Sequence, residues 1–192
     1  MSGSAFQPKS QRVELRKLDI HPLAIEPSGA FVRLPRVAGA QQRLINFAGL
    51  FPPVTVLWSE RDDRYTVVGE LASYVHACWL ELHCDRAFVD IVIVERTRRE
   101  IEDRLDLEIL RAIEQGQYRG EADAFDALCE ALSERAHHAL FGRKRPSAHA
   151  KALISGLSEE DFLHRPNPIA HLRIWDKICR ASHPGKSDGR PS

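Results

Sequence analysis

Cysteine is scarce. The four residues in this 192-residue chain, Cys78, Cys84, Cys129 and Cys179, are too few and too scattered for a disulfide framework, and none stands in a CxxC or CxH pair that would hold zinc. They read as buried free thiols in a reducing compartment. Net charge is absent as well: 27 Lys and Arg balance 27 Asp and Glu. That balance excludes the strongly basic profile of a non-specific DNA-coating protein and leaves room only for a local basic face. Long apolar runs are missing, and the opening Met1-Ser-Gly-Ser-Ala-Phe-Gln has no signal-peptide core. The expectation is a cytoplasmic protein with no membrane insertion. No repeat at a solenoid period is present.

What remains is 43% apolar and 28% charged, the balance of a globular protein with one core and room for a helical extension. Residues 1–12 and 182–192 are polar and rich in Gly, Pro and Ser, and are read as flexible tails. Between them, residues 13–18 alternate apolar with charged side chains as a half-buried strand does. A Pro- and Gly-punctuated stretch follows, through Pro27, Gly29 and Pro35, and a short helix is expected over 41–47. Val54-Thr-Val-Leu-Trp58 and Tyr65-Thr-Val-Val68 flank a polar turn as a hairpin. After Gly69 the apolar spacing changes to three and four, through Leu71, Val75, Cys78, Trp79 and Leu82, predicting a helix. Residues 88–94 close this half as a strand.

The second half reads as helical. Thr97 and Glu100 form a capping-box signature ahead of the stripe Ile101, Leu105, Ile109 and Ile113. Further helices are predicted over 121–140, 147–154, 158–163 and 168–181. The fold class is therefore α/β (mixed α+β): a small mixed sheet with helices over residues 13–96, followed by a helical subdomain over 97–181.

Arg33-Leu-Pro-Arg36, Pro52-Pro-Val-Thr-Val-Leu-Trp58 and Tyr65-Thr-Val-Val-Gly-Glu-Leu-Ala-Ser-Tyr-Val-His-Ala77 occur in an order and spacing that resemble the mixed α/β domain shared by the ParB partition proteins and sulfiredoxin. The resemblance covers less than half the chain. Sulfiredoxin-like turns read Gly-Gly-Cys-His-Arg-Tyr, where this chain has Gly69-Glu70-Leu71-Ala72-Ser73-Tyr74. Leu71 replaces the reactive cysteine, so thiolate attack on a phosphorylated sulfinic acid is excluded there. Ala72 and Ser73 replace the histidine or arginine that these families offer to phosphate, leaving the backbone amides, the Ser73 hydroxyl and the helix dipole.

Within this superfamily the chain resembles the plasmid fertility-inhibition factors. That resemblance implies a protein that blocks DNA transfer through a type IV secretion system by ATP hydrolysis and DNA cleavage. Glu70 would be the catalytic carboxylate and the ligand of a divalent cation, Mg²⁺. Gly69, Ser73, Arg33 and Arg36 would contact the nucleotide phosphates. Implied partners are DNA, single- or double-stranded, and a coupling protein or relaxosome, which would place the protein in the bacterial cytoplasm or peripherally at the inner membrane. Read from the residues alone, Glu70 serves equally as a solvated first-turn glutamate. A docking module that has lost its catalytic groups stands as the rival reading. A sequence-specific partition or regulatory protein would need a basic recognition helix, and none stands out.

Two basic clusters are candidates for a nucleic-acid backbone: Arg96, Arg98 and Arg99 after the last strand, and Arg143, Lys144 and Arg145 with His137, His138, His149 and Lys151 around them. An exposed helical turn and a solvated loop explain them as well. Trp58, Trp79 and Trp175 fall at apolar positions and are assigned to the core.

Overall fold

The computed structural model describes residues 10–34, 51–81, 87–143 and 145–163. Five strands form one mixed sheet in the order β1-β5-β3-β4-β2: β1 (Ser10–Glu14), β2 (Leu18–Ile20), β3 (Val54–Ser59), β4 (Arg64–Gly69) and β5 (Phe88–Ile93). β1 runs antiparallel to β5 and β3 antiparallel to β4, while β2 lies parallel to β4 and β5 parallel to β3. Six α-helices accompany them among the described residues: α1 (Ile25–Arg33), α2 (Leu71–Glu81), α3 (Arg98–Glu114), α4 (Ala122–Glu130), α5 (Glu134–Phe141) and α6 (Ala148–Ser155).

The first strand departs from expectation. The alternation over 13–18 is split by a 3-10 turn, Leu15–Lys17, into β1 at one edge of the sheet and β2 at the other. β1 also begins at Ser10, inside the stretch read as a tail, because pairing with β5 supplies its backbone partners. β2 is tied to β4 by a two-pronged ion pair in which Arg64 Nε and Nη2 donate to the Asp19 carboxylate at 2.5 and 2.7 Å.

The Pro- and Gly-punctuated stretch is not irregular throughout. His21 Nδ1 accepts the Leu23 N–H at 3.2 Å, starting a 3-10 turn that leads into α1. Pro27 sits in the first turn of α1, where a helix has no use for its amide hydrogen, so the ring does not break it. Burial of Ala30, Phe31 and Val32 against α2 and α4 outweighs the low helix propensity of Gly29.

In the second half, the capping box forms as the sequence predicts: Thr97 Oγ1 accepts the Glu100 N–H and Glu100 Oε2 accepts the Thr97 N–H at 2.7 Å. The single helix expected over 121–140 is two. It breaks at Ser133, whose hydroxyl caps α5 through the Ala136 N–H. Gly142 ends α5 in the left-handed conformation. Residues 158–163 give only a 3-10 turn, Glu160–Phe162. The helices expected over 41–47 and 168–181 lie outside the described residues, as do Arg36, Lys144, Cys84, Cys179 and Trp175.

One apolar cluster joins the two halves, running from Leu18, Val54, Val67 and Ile91 in the sheet to Ile101, Ile109, Phe125 and Leu128 in the helices. Cys78 and Cys129 are buried free thiols within it. Trp58 is not core: it is 37% exposed and lies against Tyr65, with ring centroids 4.5 Å apart and the rings tilted by 40°. No helix among the described residues is long and apolar enough to cross a membrane.

Candidate functional site

The turn singled out by the sequence lies where β4 ends and α2 begins. Gly69 is the last residue of β4, and Glu70, the link to Leu71, has φ +57°. A left-handed conformation at a non-glycine residue costs about 1–2 kcal/mol. Its effect is to aim two consecutive amides, those of Glu70 and Leu71, out of the turn at the start of a helix, where a bare helix leaves its donors unmet.

Those donors are already engaged. The carboxylate of Glu108, from α3, accepts the Glu70 N–H at 2.6 Å through Oε1 and the Leu71 N–H at 2.9 Å through Oε2. Arg104, one turn earlier on α3, lies between the two acids: its Nη2 donates to Glu70 Oε1, and its Nε is 3.3 Å from Glu108 Oε1. The four residues make one network of two carboxylates, one guanidinium and two backbone amides.

Burial differs sharply across the network. Glu108 is 8% exposed, whereas the Arg104 and Glu70 side chains are 23% and 26% exposed, so solvent reaches the Glu70 end. Burial pushes the Glu108 carboxyl above the ordinary carboxylate range, outweighing the amides of Leu71 and Glu70 that pull it down. Gly69 makes the approach possible: a Cβ there would stand 3.0 Å from Glu108 Oε1 and 3.4 Å from Thr55 Cβ.

The Glu70 carboxylate is paired with a guanidinium, which repels a divalent cation at the same oxygens, so the residues as arranged do not fit Mg²⁺. The amides expected to receive a phosphate are filled by the carboxyl group of Glu108. Ser73 is buried, and it lines a small cavity with Arg12, Phe51, His76, Phe88 and Asp90 rather than with the Glu70 network. Arg33 is exposed at the last turn of α1, and no hydrogen bond or ion pair among the described residues joins it to the turn. Of the expected phosphate contacts, only Gly69 stands beside Glu70 in this network; Ser73 reaches the turn through its backbone amide alone, bonded to the Glu70 carbonyl at 3.1 Å, Arg33 is not joined to it, and Arg36 lies outside the described residues.

Arg104 and Glu108 were not among the sequence candidates. The signal was present in α3: Glu108 follows Ile101 and Leu105 at the spacing of the apolar stripe, so a charge falls on a buried face. Asp106 is a second such acid, 7% exposed, and it takes both the Ser133 N–H at 2.8 Å and the Ser133 hydroxyl at 2.5 Å.

The basic clusters fare differently. Arg96 and Arg98 are exposed, and Arg98 is 3.5 Å from Glu102 one turn on. Arg143 and Arg145 are exposed beyond α5, His149 contacts Glu159 at 3.3 Å, and Lys151 is held by Asp126 at 2.6 Å. The sequence matches no family model and no curated protein.

Proposed function

We propose that this chain acts as a docking module on a ParB/sulfiredoxin-like scaffold, a fertility-inhibition factor that blocks DNA transfer by occupying a coupling protein or relaxosome of a type IV secretion system. The observation that carries the docking mode is the Glu108 carboxylate seated on the amides of Glu70 and Leu71. A nucleotide phosphate asks for the same donors, and a buried carboxylate with two amide bonds does not leave them cheaply. The transfer-blocking role is supported by the sequence resemblance: the chain is similar to the oncogenic suppression activity protein in size, in its Gly69-Glu70 turn and in its helical second half.

The rival is hydrolysis of ATP and DNA with Mg²⁺ at Glu70. It is favoured by one observation, the left-handed Glu70 with two acids around a guanidinium, because strained backbone concentrates at reactive sites. In that reading Glu108 must first withdraw from the turn.

Plasmid transfer from a donor strain expressing the chain separates the two. Docking predicts that the wild type and Glu70→Ala depress transfer equally, and that the purified protein leaves DNA intact with magnesium. Magnesium-dependent DNA degradation that disappears in Glu70→Ala would refute the docking mode and establish the hydrolytic one.

A further inference from the structure

The sheet ends in two unequal edges. β2, at one, is three residues long, and the Arg64 side chain is fastened there to Asp19 and to the Arg16 carbonyl. β1, at the other, is five residues long, and among the described residues no strand lies beyond it. An open edge of that length is a template for another strand, and a very short one is not.

Register shows what β1 offers. The Leu15 N–H donates to the Ala87 carbonyl at 2.9 Å. Because hydrogen-bonded pairs recur at every second residue of an antiparallel ladder, Val13 and Gln11 also turn their backbone groups to β5, while Ser10, Arg12 and Glu14 turn theirs outward. The Glu14 carbonyl also begins the 3-10 turn, and its second lone pair remains. The Arg12 and Glu14 side chains, two residues apart, project from one face of the sheet. Arg12 is exposed over the Phe88 ring, 5.8 Å from its centroid, and stands opposite Asp90 in the register. Glu14 buries Oε2 against Arg16 and keeps its other oxygen open, with the side chain 20% exposed.

We propose that β1 pairs antiparallel with β1 of a second copy of this chain, about a two-fold axis at Val13, joining two sheets into one. Each Arg12 then faces Glu14 of the other copy, in the kind of pair that exchanges backbone hydrogen bonds. On the sheet surface each Arg12 lies between its own Asp90 and the other copy's Glu14. Opposite charges directly across a ladder are favourable, and like charges are not. Moving the axis to Arg12 would set that arginine against itself, so charge favours the first alignment over the second. The seam is short, which makes the dimer weak and concentration-dependent. It is independent of the docking reading of the Glu70 turn.

Sedimentation equilibrium on the full chain, from about 10 µM to 1 mM, should show a monomer converting to a dimer. Amide exchange should slow at Arg12 and Glu14 as concentration rises and stay constant at Val13, whose N–H already faces β5. Arg12→Glu and Glu14→Arg should each weaken pairing by about tenfold or more, because each sets like charges opposite one another. The two variants mixed should dimerise together, since every pairing between them joins an acid to a base. The exchange measurement uses the unaltered protein, so it decides the assignment even where a charge reversal unfolds the chain. A monomer throughout, exchange at Arg12 and Glu14 that ignores concentration, Glu14→Arg dimerising as tightly as the wild type, or a mixture of two folded variants that stays monomeric would each overturn the pairing.

Discussion

The carboxylate of Glu108 caps α2 from outside it, taking the Leu71 N–H at 2.9 Å across 37 residues of sequence. Most helix caps come from the residue just before the helix. Here that residue is Glu70, whose side chain is turned instead to Arg104. Glu108→Ala removes a buried acceptor from two amides and leaves Arg104 without its inner partner. The expected loss is about 2–4 kcal/mol, summing two unmet donors at the lower end of the usual range. Urea denaturation should show the midpoint falling with the slope unchanged, and Glu108→Gln, which keeps one acceptor, should lose less.

The pH dependence of stability should carry the signature of Glu108. Its folded-state pKa is raised above the unfolded value, so in the window between the two the native state holds more protons than the unfolded chain. The contribution is therefore fully present below the ordinary carboxylate pKa of about 4.3 and is lost as pH rises through the raised value. Glu108→Gln cannot ionise and lacks this slope. Denaturation midpoints of the two proteins, measured between about pH 4 and 8, should show the wild type losing ground to the variant as pH rises. A constant difference would show that Glu108 does not titrate in that window.

At Glu70 the backbone and the side chain pull in opposite directions. Glycine adopts φ near +57° without the steric penalty, so Glu70→Gly should be more stable than Glu70→Ala by about 1 kcal/mol, although both lose the Arg104 pair. In an ordinary helical or extended position the order would be reversed. Thermal melts of the two variants decide it.

Asp106 and Ser133 should couple. The carboxylate takes both the amide and the hydroxyl of Ser133, and that same hydroxyl receives the Ala136 N–H at 3.2 Å. Asp106→Ala and Ser133→Ala should each destabilise. The double variant should cost less than their sum, by about 0.5–3 kcal/mol in a double-mutant cycle.

The hairpin, α2, β5 and α3 were readable, because the hairpin strands are β-prone runs around a polar turn, α2 has apolar spacing of three and four after Gly69, β5 is a short β-branched run, and α3 opens at a capping box. The split between β1 and β2 was not readable. Residues 13–18 alternate as one strand does, and only pairing with β5 and β4 on opposite edges divides them. The break at Ser133 was hidden because the apolar spacing continues through it, while the Asp106 carboxylate that fixes Ser133 as a cap comes from 27 residues away. At the site, sequence found Gly69 and Glu70, which sit on a local turn. It did not find Arg104 and Glu108: the charge on the apolar stripe at position 108 marks a buried acid, but the amides it serves lie 38 and 37 residues away across the fold.

Asp106 and Glu108 sit two residues apart on α3, and each serves the start of a different helix: Asp106 holds Ser133, the cap of α5, and Glu108 takes the first amide of α2. The boundary at 96/97, drawn where strands give way to helices, therefore makes a poor place to cut the chain. A fragment ending there would keep the sheet but leave the amides of Glu70 and Leu71 without an acceptor. One beginning there would keep α5 capped and strand a buried glutamate with no amides to receive it. The two halves meet along α3 and where α4 packs on α1, and displacing α3 would expose the Leu71 and Ser133 amides to hydrogen exchange in one event.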